Sequence, residues 1–540
     1  MQSPPRWLGL WSVLGVLFLS GIVLKAYWPA AGMYDVTGYL IGRDFVNIWH
    51  TARLTWLGDP ALSYDLSTYI ASMRQVLGIG FPFHNWSYPP TILPFILPFG
   101  WLDYPVALFL WSSMGLLAYG LAAYPKNTPL WCGGFLLLLL TSPAAMVNLL
   151  SGQNGFFTAA LFLGGWSCLN RRPILAGILF GLLTFKPHLG LLIPVALLLL
   201  GQWRTIAAAS TTTVALAALS LALWGVDPWQ NYFAHTLPYQ HELLAVFKGF
   251  YTAMMPGTYA AARVVGLPMS PAILLHGLAA LMAILAAYSI LIRDGASPRA
   301  ILGLAIATLL VTPYGYHYDL TLVAGALLTY VWTTPARAAN RLVWGLVWLL
   351  PAATYAIMFA YLPLAPVISL AALVLLTYQA CHRPWGALRM RAYTPSLAPY
   401  FDQYNRAWIA QYFTVELIDD VMLTQPESAI IQKGGEIWFA EQQGEIVATA
   451  ALLDSGAGIM EFSKLGVAEH AKGRGISRKL LHHCIQRARL RGAHTLRIFT
   501  NSSLKTACAL YLAEGFQQHP IPPDERERYQ RADTYFLLRL

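Results

Sequence analysis

The feature that most limits this chain is a succession of apolar runs from Trp7 to Cys381, broken only by short polar knots. From Arg383 onward the sequence turns polar, with acidic and basic residues throughout. With 57% hydrophobic and only 11% charged residues, the chain sits far below the roughly 25% charged content of soluble domains. Its first part must therefore find an apolar solvent. Apolar segments at roughly 7–28, 91–123, 130–149, 154–170, 174–186, 188–202, 205–225, 270–293, 299–313, 316–334, 342–357 and 360–381 predict about twelve crossings, several of them short. The first run, Trp7 to Tyr27, lacks a small-residue cleavage site and is long enough to span. The composition shift divides the chain into a membrane region 1–382, a linker 383–394 ("RPWGALRMRAYT", with Trp385 at the interface) and a soluble tail 395–540.

Charge supplies orientation. With the N-terminus in the cytoplasm, Lys126, Arg171, Arg172, Arg204, Arg293, Arg299, Arg337, Arg341, Arg383, Arg389 and Arg391 all fall inside, as the positive-inside bias favours. An even number of crossings returns the tail to the cytoplasm, making this a multi-pass protein of the inner (plasma) membrane. The net charge of +10 is thus explained by loops, and a nucleic-acid partner is not expected. Five isolated cysteines, Cys132, Cys168, Cys381, Cys484 and Cys508, form no paired motif and predict neither disulfides nor zinc.

The same threading gathers four polar knots on the outer face: "GRDFVNIWHTARL" (42–54), "FPFHNWSYPPT" (81–91), "FKPHLG" (185–190) and "TPYGYHYDL" (312–320). A long loop at roughly 226–268, rich in Trp, Tyr and His, joins them. Ionisable groups at membrane depth are costly and usually face a site. Each also has a plainer reading. Asp44 could pair with Arg43 or Arg53 at a helix end, and His84 and His188 could pack at the interface. "SGQN" (151–154) could cap a helix, and "YHYD" could start one.

The stretches "DFVNIWHTARLTWLGDPALSYD" (44–65), "YPPTILPFILPFGWLDYPVALFLW" (88–111) and "SGQNGFFTAALFLGGWSCLNRRPILAGILFGLLTFKPHLGLLIPVALL" (151–198) resemble glycosyltransferase family 87. These are polyprenyl-phosphate-mannose-dependent mannosyltransferases of the GT-C fold. The resemblance implies inverting sugar transfer on the extracytoplasmic face, from a polyprenyl-phosphate donor to a glycan or glycolipid acceptor, without a divalent metal. It makes Asp44 the base that deprotonates the acceptor hydroxyl. Lys186, His317 and Arg43 would stabilise the departing phosphate, with Asp319 and Tyr314 orienting His317. Gln153 and Asn154 would hydrogen-bond the sugar.

The tail reads as α/β. "GEIWFAEQQGEIVATAALL" (435–453) is a hairpin, "GIMEFSKLGV" (458–467) a third strand, and "HTLRIFT" (494–500) a fourth. Between the last two, "EHAKGRGISRKLL" (469–481) runs a glycine-rich turn into an amphipathic helix at about 476–491, and "LKTACALYLAEGF" (504–516) is a second helix ending at Gly515. This order resembles the GNAT N-acetyltransferases. Their Gln/Arg-x-x-Gly-x-Gly/Ala signature reads here Lys472, Gly473, Arg474, Gly475, Ile476 and Ser477. Lys keeps a donor, and Ser stays small. The resemblance implies acetyl-CoA as cosubstrate, its pyrophosphate on the amides of residues 472–477 and its pantetheine arm against Leu465 and Val467, with Asn501 also in the site. An amine-bearing acceptor would be acetylated, with Tyr511 as the acid that protonates sulfur and Glu461, facing the cleft, as the base. Tyr511 could instead be packing, and Glu461 a strand-edge carboxylate.

The fold expected is thus a multi-span α-helical membrane domain followed by a soluble α/β GNAT domain. The function expected is a bifunctional glycosyl- and N-acetyltransferase. Two other readings use the same residues: an acetyltransferase anchored by a silent membrane half, or an acetyl-CoA sensor that regulates the glycosyltransferase.

Overall fold

The computed structural model describes residues 6–125, 133–246, 250–334, 338–381, 388–442, 444–473, 475–526 and 531–540. Lys126, Cys132, Arg337, Arg383, Trp385 and Arg474 lie outside the described residues. The chain divides into two compact units, Met1–Cys381 and His382–Leu540.

Among the described residues of the first unit, six helices are long and apolar enough to cross a membrane: Trp7–Tyr27, Tyr104–Ala123, Trp203–Trp224, Met269–Asp294, Ala338–Phe359 and Leu364–Cys381. The pair Gly133–Leu140 and Pro143–Ser151, bent by 52°, raises the number to seven if it forms one span. Other apolar helices, such as Gly155–Cys168 and Pro298–Val311, have only 10–17 residues. At 1.5 Å per residue they cover about 15–26 Å of a core that is about 30 Å thick. Six or seven helices therefore qualify as crossings by length, where the hydropathy predicts about twelve.

Two stretches that read as polar connections are helical. Residues 42–54 supply most of a helix, α1 (Phe45–Trp56), that buries Phe45, Val46, Ile48, Trp49, His50, Ala52 and Leu54. The stretch expected as a long loop at 226–268 contains the helices Asp227–Asn231, Leu237–Val246 and Thr258–Val264. Around α1 the packing is aromatic: Trp111 lies 4.5 Å from Phe157 and 5.9 Å from Phe45, ring centre to ring centre. Such pairs add to the large apolar area each ring removes from its surroundings. Two more helices frame the polar centre: α2 (Gly155–Cys168) follows "SGQN", and α3 (Leu320–Thr333) follows "YHYD". Asn148 ties the two regions together, its Nδ2 donating to the Tyr318 carbonyl at 2.9 Å.

The second unit is built on a seven-stranded sheet. Its strands are β1 (Arg389–Ala392), β2 (Glu436–Gln442), β3 (Glu445–Asp454), β4 (Ile459–Val467), β5 (Thr495–Thr500), β6 (Gln517–His519) and β7 (Thr534–Arg539). The spatial order is β1-β2-β3-β4-β5-β7-β6. Strand β1 falls within the stretch read as linker. Helices α4 (Ala398–Tyr412), α5 (Leu417–Thr424), α6 (Ile476–Leu490) and α7 (Lys505–Ala513) complete the unit. Helix α6 buries Ile476, Leu480, Leu481, Cys484, Ile485 and Ala488, one face of a 3.6-residue period.

One irregularity in the sheet positions the site. Strands β4 and β5 are parallel but pair only over Ile459–Glu461 and Thr495–Arg497. Beyond that point no ladder joins them, and Lys464 takes a left-handed backbone conformation (φ 55°). Both strands bare their edges there, and a cleft opens.

Candidate functional site

Two polar centres stand out, one in each unit. The first is a cavity of about 360 Å³ whose lining includes Arg43, Asp44, His84, Tyr88, Gln153, Lys186, His188, Tyr314 and His317. Five chain segments that lie apart in the sequence thus meet around one cavity. Asp44 precedes α1, and its backbone N–H donates to the Ser151 carbonyl at 3.1 Å. That contact needs Gly152, which is left-handed (φ 58°); a Cβ there would come within 2.5 Å of the Gly42 carbonyl oxygen. The turn then presents Gln153, whose Nε2 donates to Asp44 Oδ2 at 2.9 Å. Tyr88 Oη donates to Gln153 Oε1 at 3.2 Å, which orients the amide.

Lys186 is almost wholly buried and fully engaged. Its Nζ donates to Asp319 Oδ1 at 2.5 Å and to Asn154 Oδ1 at 3.1 Å, and it lies 4.9 Å from the Tyr318 ring centre. Asp319, fully buried, also accepts from the Tyr316 N–H at 3.1 Å. Desolvating both charges is tolerable because each is matched at contact distance. Asp319 therefore holds Lys186, and not His317 as the sequence predicts. Tyr314 does not reach His317 either: its hydroxyl donates to the Gln240 carbonyl at 3.4 Å. His317 is held by its N–H donating to the Met254 carbonyl at 2.8 Å and by an edge contact to the Tyr355 ring at 4.7 Å. Its Nδ1 is buried with no hydrogen-bond partner among the described residues, a costly state unless something else fills it.

Arg43, expected to face a phosphate, is turned toward Asp35, 2.8 Å away, and hydrogen-bonds Thr37 Oγ1 at 3.0 Å and the Ala26 carbonyl. Its guanidinium stacks over Tyr27 at 4.2 Å and Tyr39 at 4.6 Å. It shapes the wall. Asn154, expected to meet a sugar, is fully buried and lies behind Lys186. His84 stacks on Phe81 (5.3 Å), and its Nδ1 lies 3.0 Å from the Pro82 carbonyl oxygen.

The second centre is the cleft of the tail, a cavity of about 750 Å³. Leu465, Val467, Lys472, Gly473, Gly475, Ile476, Ser477, Asn501 and Tyr511 all line it. Gly475 caps α6 in the left-handed region (φ 69°), which turns the first N–H groups of the helix outward, toward an anion. Lys472 pairs with Glu469 at 2.7 Å. Asn501 closes the far rim: its Nδ2 donates to the Arg531 carbonyl at 2.6 Å. Tyr511 is buried among Phe462, Phe516 and Phe536, at 6.4, 6.0 and 5.8 Å between ring centres. That burial pushes its hydroxyl well above the ordinary tyrosine value.

Glu461 is not part of this cleft. It lies in the paired stretch of β4, opposite Arg497 in register, is 1% exposed, and sits 3.5 Å from the Arg497 guanidinium. The strands separate only beyond it, so the expectation that Glu461 faces the acceptor is corrected. The cleft wall carries instead a cluster that sequence reading misses. Fully buried Asp419 of α5 accepts from both Arg531 guanidinium nitrogens and from Lys464. Burial pushes the Asp419 carboxyl up, but these donors outweigh it and hold it at about 2.

Comparison with known proteins supports this division. Residues 86–313 match the family model of glycosyltransferase family 87, and residues 398–516 that of the acetyltransferase (GNAT) family. The first range contains Gln153 and Lys186 but neither Asp44 nor His317. Rat N-acetyltransferase 8 is 30% identical over 97 residues, 17% of this chain and 44% of that protein, so the chain spans less than half the length of the curated relative it matches. Among solved structures, a GNAT-family acetyltransferase of Staphylococcus aureus is 18% identical, covering 28% of this chain and 99% of that one, with a TM-score of 0.27. An IAA acetyltransferase of Bacillus cereus is 25% identical, covering 28% of this chain and 100% of that one, with a TM-score of 0.21. The chain joins a glycosyltransferase family 87 region to a GNAT acetyltransferase region.

Proposed function

We propose that this is a bifunctional membrane transferase. The first unit transfers a hexose, mannose by family resemblance, from a polyprenyl-phosphate donor to a glycan or glycolipid hydroxyl. The second acetylates an amine with acetyl-CoA. The observation that carries the first reading is the Asp44 carboxylate held by Gln153 at the wall of a cavity that Lys186 and His317 also line. There the acceptor oxygen bonds to the anomeric carbon as the carbon–oxygen bond to phosphate breaks. Asp44 takes the hydroxyl proton, and the leaving phosphate takes the bonding pair. His317, which lines the cavity, is the residue left to hydrogen-bond that phosphate through its ring, since Lys186 is matched by Asp319. Lys186 instead fixes the electrostatic floor of the cavity.

In the tail, the amine nitrogen bonds to the acetyl carbon, the carbon–sulfur bond breaks, the sulfur gains a proton from Tyr511, and the nitrogen sheds its proton to water, from which Tyr511 is reprotonated. Its raised pKa keeps that hydroxyl protonated at neutral pH. The helix start at Gly475 receives the pyrophosphate, and the bared edge of β4 at Leu465 and Val467 receives the pantetheine amides. The distribution of basic residues supports a cytoplasmic tail, where acetyl-CoA is available, and an outward-facing cavity.

The test uses the full chain in detergent with labelled donors. Transfer from polyprenyl-phosphate-mannose, with none from nucleotide sugars, and amine-dependent release of CoA thiol support the proposal. Transfer from a nucleotide sugar alone overturns the first half, and thiol release that ignores added amine overturns the second.

A further inference from the structure

The two residues that the sequence assigns to the sugar are occupied elsewhere: Gln153 holds Asp44, and Asn154 lies behind Lys186. The cavity wall offers another set. Asn85 and Ser87, in the segment before Tyr88, and Gln240, in the helix Leu237–Val246, all line it. Their side chains converge on one atom. Asn85 Nδ2 donates to Ser87 Oγ at 2.8 Å, and Gln240 Nε2 donates to the same oxygen at 2.6 Å. The helix is itself tied down, since the Gln240 carbonyl accepts from the Tyr314 hydroxyl at 3.4 Å.

A serine hydroxyl has one proton and two lone pairs. Both lone pairs of Ser87 are taken, so its O–H is left to donate, and among the described residues nothing accepts it. Each amide keeps its side-chain carbonyl oxygen and one N–H, again without a partner among the described residues. All three residues are half-buried and uncharged. The cluster thus sets donors and acceptors side by side. A phosphate or carboxylate would find no counter-charge in it and would meet two carbonyl oxygens. Neighbouring hydroxyl groups, each able to donate and to accept, match it.

Resting on the glycosyltransferase reading above, we propose that Asn85, Ser87 and Gln240 form a subsite for two adjacent hydroxyls of a hexopyranose ring. Ser87 immediately precedes Tyr88, whose hydroxyl holds Gln153 and through it Asp44. The segment that grips the ring is therefore also the one that steadies the base. The ring belongs either to the acceptor or to the donor sugar, and the chemistry recognised is the same.

The experiment titrates the full chain in detergent by saturation-transfer NMR, with methyl α-mannopyranoside as a free sugar and mannosyl phosphate as the donor head group. Two singly deoxygenated methyl mannosides, altered at neighbouring ring positions, should bind roughly threefold to tenfold more weakly, the worth of one hydrogen bond. Ser87→Ala should weaken the parent sugar by a similar factor and erase the penalty of those two deoxygenations, a coupling that a merely structural role does not produce. Ser87→Thr, which keeps the hydroxyl, should retain both. Loss for the free sugar alone assigns the subsite to the acceptor. Loss for mannosyl phosphate, alone or as well, assigns it to the donor sugar. Thermal unfolding in detergent checks each variant; Gln240→Leu repeats the test if Ser87→Ala does not fold, and the deoxygenated series on wild type decides if neither does. No binding of either sugar, equal binding of every deoxygenated derivative, or unchanged binding in a folded variant overturns the inference. Transfer from polyprenyl-phosphate-mannose that ignores Ser87 overturns this inference alone, whereas transfer only from a nucleotide sugar overturns the reading on which it rests.

Discussion

Gln153 donates to the Asp44 carboxylate at 2.9 Å across 109 residues of sequence. The amide has no rotational choice, because Tyr88 Oη donates to its other end at 3.2 Å. On the proposed mechanism, in which Asp44 is the base, Gln153 is therefore a positioning residue. Gln153→Ala should lower kcat for sugar transfer roughly tenfold to hundredfold, with KM for the donor little changed. Gln153→Glu should be worse, since it sets a second carboxylate against Asp44. Steady-state kinetics on both variants checks the split.

The Lys186–Asp319 pair makes a stability prediction. Asp319→Asn leaves a nearly buried ammonium without its counter-charge, which costs roughly 3–5 kcal/mol. Thermal unfolding in detergent should show a large loss, and the double variant Lys186→Met with Asp319→Asn should recover much of it. Recovery of stability without recovery of sugar transfer separates the structural role from the electrostatic one.

These two clusters show how far the sequence alone reaches. Asp44, Gln153, Lys186 and His317 are each legible as polar residues that interrupt apolar runs, and the structure brings all four to one cavity. Their pairings are not legible, because partners such as Lys186 and Asp319 lie 133 residues apart. Arg43 misleads because Asp35 lies in a short two-stranded ribbon, Pro29–Ala31 with Tyr34–Asp35, that hydropathy does not reveal. Glu461 misleads because strand alternation does not say where β4 leaves β5. The number of crossings is not legible because an apolar run gives no length for the helix within it; among the described residues six or seven helices have the length to span. In the tail, local motifs predict the turn and helices well. The cluster of Asp419, Lys464 and Arg531 comes from three distant elements and carries no motif.

That cluster predicts a pH dependence. Asp419 titrates at about 2 in the folded tail and at about 3.9 in an unfolded chain. Because the folded value is the lower one, its stabilisation is complete above roughly pH 4 and is lost as pH falls toward about 2, an effect of roughly 2 kcal/mol. Hydrogen exchange of β4 amides across that window should show the loss. Asp419→Asn should exchange faster at neutral pH and lose the dependence.

Gly475 makes a local prediction about the nucleotide. A Cβ at its left-handed φ of 69° costs about 1 kcal/mol and tilts the first N–H groups of α6. Gly475→Ala should weaken acetyl-CoA binding several-fold by calorimetry while leaving sugar transfer unaffected.

The central claim is that one chain carries two independent catalytic centres, and a crossed assay tests it most directly. Sugar transfer and acetyl transfer are measured on the same preparations of wild type, Asp44→Asn and Tyr511→Phe. The prediction is that Asp44→Asn abolishes sugar transfer and keeps acetyl transfer, whereas Tyr511→Phe lowers acetyl transfer by roughly a hundredfold and keeps sugar transfer. Sugar transfer at the wild-type rate in Asp44→Asn, or joint loss of both activities in either folded variant, would contradict it.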